Sequence, residues 1–219
     1  MKTLTTLSLV NLLIMGVATA ELPPPASTNM PACCVKAPVE NGPPSDQSLY
    51  QLDSSWTDDA AHTVKLGSLT GRPQIVTMFF ARCIYACPIL VHDLKRIEAA
   101  LPESSRTNVG FALISFDSDQ DTPKVLSAFR QKHELPASWT LLRAEPDDVL
   151  ELAALLGIKF KKDTRGQFAH SNIITVLNAE GEIAFQQVGL NSDPSATVEA
   201  VRQALSAGGS QAAVLSRKP

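Results

Sequence analysis

The residues best able to do chemistry in this chain are two cysteines separated by three residues, Cys83 and Cys87, in the run Phe79-Phe80-Ala81-Arg82-Cys83-Ile84-Tyr85-Ala86-Cys87-Pro88. Residues four apart meet on one face of a helical turn, about 5–6 Å between Cβ atoms. Local adjustment can close that gap into a disulfide or leave it open to clasp one ion. An apolar strand ends at Arg82 and a helix begins near the cysteines, so both thiols sit at a strand–helix junction. Unpaired N–H groups and the helix dipole there favour thiolate and are expected to lower both pKa values, and Arg82 adds a positive charge with the same effect. Two thiolates make a soft site that selects Cu(I), zinc or an iron–sulfur cluster over magnesium or calcium. A structural disulfide is the other reading of the spacing. Two thiolates do not complete a copper or zinc shell, and the chain offers four histidines. His62, His92 and His133 lie in polar, surface-like contexts. His170 sits in the loop begun by Gly166-Gln167-Phe168-Ala169, just ahead of a strand, where it can come beside another strand's end.

The elements that must position these groups alternate along the chain. Gln74 to Phe80 and Val109 to Phe116 are apolar runs of the kind found in strands covered on both faces. Between them Leu90, Leu94, Ile97 and Leu101 recur at helical spacing. Thr122-Pro123, Pro146 with Asp147 and Asp148, and Asp193-Pro194 are helix starts, and Gly157 is a helix stop. Asn172 to Asn178 and Glu182 to Val188 flank Ala179-Glu180-Gly181 as a hairpin before a final helix. A parallel strand–helix–strand unit followed by an antiparallel hairpin and helix predicts an α/β fold: a thioredoxin-like mixed sheet with flanking helices.

The length of 219 residues predicts one compact domain with appendages. Lys+Arg 19 against Asp+Glu 22 give a net charge of −3, which excludes the basic footprint a nucleic-acid binder needs. Residues 1–20 have the shape of a signal peptide: Lys2, an apolar stretch from Leu7 to Val17 broken by Ser8 and Asn11, then Ala18-Thr19-Ala20. That stretch falls short of the about 20 residues a span requires, so cleavage, export to the periplasm and no stable membrane span in the mature chain are expected. Residues 21–47 hold seven of the fifteen prolines and read as an extended arm. The arm carries Cys33-Cys34 near Met30, either incidental thiols or groups that capture copper or exchange disulfides with Cys83 and Cys87. Residues 48–206 form the domain, and residues 207–219 read as a loose C-terminal tail.

Three segments in order resemble the successive motifs of the Sco/SenC family, exported copper proteins of thioredoxin-like fold. They are Phe80 to Pro88, then Ser115-Phe116-Asp117-Ser118-Asp119-Gln120-Asp121-Thr122-Pro123, then Ala169-His170-Ser171 followed by a strand and Glu180-Gly181. Val64 to Pro73 also resembles the family's lead-in hairpin. The resemblance implies Cys83, Cys87 and His170 as copper ligands for Cu(I) and Cu(II), with Asp117 and Asp121 as acidic neighbours of the site. From the residues alone, those two aspartates also fit a helix cap and loop solvation. The resemblance further implies a copper chaperone that takes copper from an upstream donor and delivers it to a respiratory oxidase subunit or another cuproprotein. The binuclear copper site of cytochrome c oxidase is the implied recipient. A thiol–disulfide oxidoreductase using Cys83 and Cys87 is the alternative, and a redox or copper sensor a third. The sequence departs from the family at Ile84 and Ser118, where many members carry proline. Neither position supplies a ligand.

Overall fold

A computed structural model of the protein describes residues 45–215. The expected signal peptide and most of the arm, with Met30, Cys33 and Cys34, lie outside the described residues.

The sheet is built outward from two apolar strands. Every residue of β3 (Gln74–Phe79) and β4 (Gly110–Ser115) is buried, as strands covered on both faces must be. They pair in parallel from Gln74↔Gly110 to Phe79↔Ser115. The crossover between them is α1 (Ala86–Ala100), whose helical spacing buries Leu90, Leu94 and Ile97. Each such side chain contributes about 1.5–3 kcal/mol when fully removed from water. The short helix α2 (Glu103–Arg106) completes the crossover. Thr122 caps α3 (Pro123–Lys132) through its hydroxyl, which accepts the Val125 amide, and Pro123 occupies the first turn. The chain then adds β5 (Trp139–Arg143) parallel to β4, an element with no clear mark in the sequence. Its anchor is Trp139, stacked on Phe111 with ring centroids 4.6 Å apart and donating from Nε1 to Glu98.

Helix α4 (Pro146–Leu155) starts at the expected proline. It stops at Gly157, whose φ of +67° suits glycine and lets Gly157 and Ile158 donate back to Ala154 and Ala153. Two short strands, β6 (Phe160–Lys162) and β7 (Phe168–His170), form a separate antiparallel ribbon. Next come β8 (Ile173–Leu177), antiparallel to β3, and β9 (Ile183–Val188), antiparallel to β8. With β1 (Trp56–Asp58) and β2 (Thr63–Val64), the main sheet has seven strands in the order β2-β1-β5-β4-β3-β8-β9. The α/β mixed-sheet expectation is met.

Two expectations are corrected. A lead-in hairpin exists, but it is β1–β2, and the stretch read as a hairpin from Val64 holds a 3-10 turn at Leu66–Leu69 instead. The final helix α5 (Ser195–Leu215) runs past Ala207, so the start of the expected loose tail is helical. Adding residues to an existing helix needs no new nucleus, which lets it cross Gly208 and Gly209 into the good helix formers that follow. Among the described residues no helix is long and apolar enough to cross a membrane.

Candidate metal centre

Cys83 and Cys87 emerge from the C-terminal end of central strand β3, the edge at which open α/β sheets bind ligands. After Phe79 the chain turns at once, the Cys83 amide donating to the Phe80 carbonyl at 3.1 Å, and α1 begins at Ala86. Cys83 therefore precedes the helix, Cys87 lies in its first turn, and Pro88 follows where no intrahelical donor is needed. Both thiols are free and buried. The Cys87 amide donates to Cys83 Sγ at 3.3 Å.

His170 closes the group. It stands at the end of β7, not in a loop as its neighbours suggested, and one ligand atom from each of Cys83, Cys87 and His170 lies within 4.8 Å of the others. Its Nδ1 sits 3.1 Å from the Ser171 carbonyl. A carbonyl only accepts, so this contact is a hydrogen bond when Nδ1 carries the proton, which leaves the Nε2 lone pair for a cation. Two sulfurs and an imidazole fit a soft or borderline ion and not a hard one.

The two thiols are not equivalent, which differs from the expectation that both would be acidified. The Cys83 thiol is lowered to about 4, chiefly by a hydrogen bond from the Cys87 thiol, against burial and with help from the Cys87, Tyr85 and Ala86 amides. The Cys87 thiol is pushed well above its ordinary value, because it donates that hydrogen bond and is itself buried. In the apo, reduced protein the pair holds one thiolate and one thiol. Arg82 does not take the expected part, since its guanidinium turns to Asp117 at 3.0 Å.

Both aspartates of the second motif belong to the surroundings of the site. Asp117 and Asp121 are 1% and 0% exposed, so neither is a solvated loop residue, and the cap of α3 is Thr122. Asp121 Oδ2 accepts from the Ala81 amide at 2.9 Å and the Ser115 hydroxyl at 2.6 Å, fixing the turn that leads into Cys83. Its Oδ1 is buried without a hydrogen-bond partner among the described residues, and burial raises its pKa. Asp117 receives Arg82 on Oδ2 and Lys162 on Oδ1. The other histidines stay away. His62 and His92 are exposed, and His133 packs on Phe129 with ring centroids 4.3 Å apart.

Sequence reasoning missed the residues that carry His170. Phe160, Lys162, Phe168 and His170 share the inward face of the β6–β7 ribbon, where Phe116 meets the Phe160, Phe168 and His170 rings at 5.1, 4.9 and 5.0 Å. The available signal was a period-two pattern on either side of a turn closed by Gly166, whose φ is +75°.

Known proteins resemble this chain. A Stutzerimonas stutzeri protein designated as copper-binding is 24% identical over 144 residues, covering 64% of this chain and 69% of that protein. The copper-bound structure of Arabidopsis thaliana ScoI aligns with a TM-score of 0.62 and 21% identity over 68% of this chain and 96% of that one. BsSco, described as a member of the Sco family of cytochrome c oxidase assembly proteins with a disulfide switch, aligns with a TM-score of 0.61 and 21% identity over 68% of this chain and 90% of that one. These likenesses establish the thioredoxin-like fold. The SCO1/SenC family model matches residues 43–206, which takes in the cysteine pair, the acidic motif and the histidine, and so the chain belongs to the SCO1/SenC family.

Proposed function

We propose that this protein is an exported copper chaperone that holds copper through Cys83, Cys87 and His170 and hands it to a cuproprotein. The binuclear copper site of a cytochrome c oxidase is the recipient this reading favours. The observation that carries it is the convergence of two sulfurs and one imidazole nitrogen within 4.8 Å at a strand end. Thiolates hold Cu(I) firmly, and an imidazole that can leave gives the metal an exit by ligand exchange. The copper-bound ScoI structure and the copper-binding designation of the Stutzerimonas protein support copper as the metal. Ile84 and Tyr85 stand 67% and 78% exposed between the two cysteines, which suits transfer by direct contact with a recipient.

The test is a transfer assay. Copper-loaded protein mixed anaerobically with a copper-free oxidase copper domain should lose its copper to that domain. Retention of all the copper, with the recipient shown competent to bind free copper, contradicts delivery.

One observation favours a second reading. A thiolate at Cys83 beside a protonated Cys87 is the state a dithiol needs to attack a disulfide, and the disulfide switch described for BsSco points the same way. In this reading the Cys83 thiolate and Cys87 thiol give two electrons and one proton to a recipient's disulfide, which leaves as one thiolate and one thiol, and themselves become a disulfide. Exchange needs only the cysteines, so His170→Ala should keep it while losing the oxidised copper site.

A further inference from the structure

The ribbon that carries His170 is attached to the domain by two kinds of contact. The first is aromatic: Phe160 and Phe168 lie on Phe116, and Phe168 also meets Phe80 at 5.1 Å. The apolar burial that drives such packing is non-directional. The second contact is ionic and directional. Lys162 lies directly across the ribbon from Phe168 and is the only charged residue on the inward face. Its Nζ reaches Asp117 Oδ1 and Asp119 Oδ2, each at 3.2 Å, and sits 5.3 Å from the centre of the Phe168 ring. The other oxygen of Asp117 is held by Arg82, the residue before Cys83. A Cβ built on Gly166, in the ribbon's turn, would lie 3.9 Å from that same guanidinium. One buried carboxylate therefore ties the cysteine loop on one side to the histidine ribbon on the other.

We propose that the Asp117–Lys162 bridge is a clasp that fixes the position of His170 over the cysteine pair, making Lys162 a positioning residue that sets how firmly oxidised copper is held. This rests on the copper reading above. The two oxidation states respond differently. Cu(I) is satisfied by the two thiolates, whereas Cu(II) draws on the imidazole and so on the ribbon's placement. Loss of the clasp leaves Asp117 paired with Arg82, so the domain keeps its fold while the ribbon loses its directional contact. Groups that orient a metal ligand from behind change metal affinity by about 10–100-fold when removed. Lys162 is 37% exposed on its side chain, which places its effect near the lower end of that range.

The experiment compares wild type, Lys162→Met and Lys162→Arg. In Lys162→Met, Cu(II) affinity measured by competition should fall about tenfold and the thiolate-to-Cu(II) absorption should weaken, while Cu(I) affinity stays within about twofold. In the metal-free protein, hydrogen exchange of the Phe160–Lys162 and Phe168–His170 amides should be at least about fivefold faster than in wild type, with the β3 and β4 amides unchanged. Lys162→Arg keeps a cation within reach of Asp117 and should restore both readouts. Unchanged Cu(II) affinity and unchanged ribbon exchange in Lys162→Met would overturn the clasp, as would equal losses for Cu(I) and Cu(II). A wild-type protein that binds no copper would instead overturn the copper reading, and the exchange measurement would still decide whether the clasp holds the ribbon.

Discussion

At the scale of single residues, the asymmetry of the two cysteines organises the site. Cys83 accepts hydrogen bonds from the Cys87 thiol and from nearby amides, whereas Cys87 is a wholly buried donor. Ultraviolet thiolate absorbance of the reduced, metal-free protein should therefore show one thiolate persisting through neutral pH and lost with a midpoint near pH 4. Cys83→Ser should abolish that titration. The sign follows from linkage: the folded pKa lies below the unfolded value, so this group's stabilising contribution is largest above the ordinary thiol pKa and disappears as pH falls through about 4. With Cys33 and Cys34 replaced by serine so that only the site pair titrates, an absorbance step near the ordinary thiol value would contradict the assignment. The sequence placed both thiols at a helix N-terminus and left their difference invisible, because it depends on which sulfur is buried in the first turn. Asp117 and Asp121 were legible as neighbours of the site through the family resemblance. Their burial was not, since it arises from packing against residues about forty positions away, such as Ala81 and Lys162.

At the scale of elements, β3 and α1 bring the cysteines and the β6–β7 ribbon brings the histidine. The first pair was legible because Gln74–Phe79 is continuously apolar and α1 repeats its leucines at helical spacing. The ribbon escaped notice because its strands have three residues each and expose Lys161 and Ala169 between their inward side chains. Its apolar anchor is Phe116, so Phe116→Ala should destabilise the protein by about 3–5 kcal/mol in chemical denaturation and weaken Cu(II) binding along with it. Full stability in that variant would contradict the packing account. The loop between the cysteines makes the opposite demand. Ile84 and Tyr85 point into solvent, so replacing both with serine should leave the melting temperature and copper affinity near wild type while slowing transfer to a recipient by about tenfold. Transfer at the wild-type rate would remove this loop from the contact surface.

At the scale of the whole molecule, the sheet separates the site from the structural elements at its other end. β3 and β8 run antiparallel with Gln74 opposite Leu177, so the β8–β9 turn containing Gly181 lies at the end of β3 away from Cys83. Gly181 has φ +89°, and a Cβ there would come within 2.5 Å of the Tyr50 ring. Gly181→Ala should lower stability in urea by about 1–3 kcal/mol and leave copper spectra unchanged. A changed spectrum would show that the two ends are coupled. Between them the sheet supplies a rigid frame on which three donors from distant parts of the sequence meet, and that meeting is the central claim. The most direct measurement is copper titration with absorption spectra of wild type and His170→Ala. Wild type should bind about one copper at the Cys83–Cys87–His170 site with a sulfur-to-Cu(II) charge-transfer band, and His170→Ala should lose that band while retaining Cu(I) binding. Identical spectra and equal Cu(II) affinity in the two proteins would contradict it.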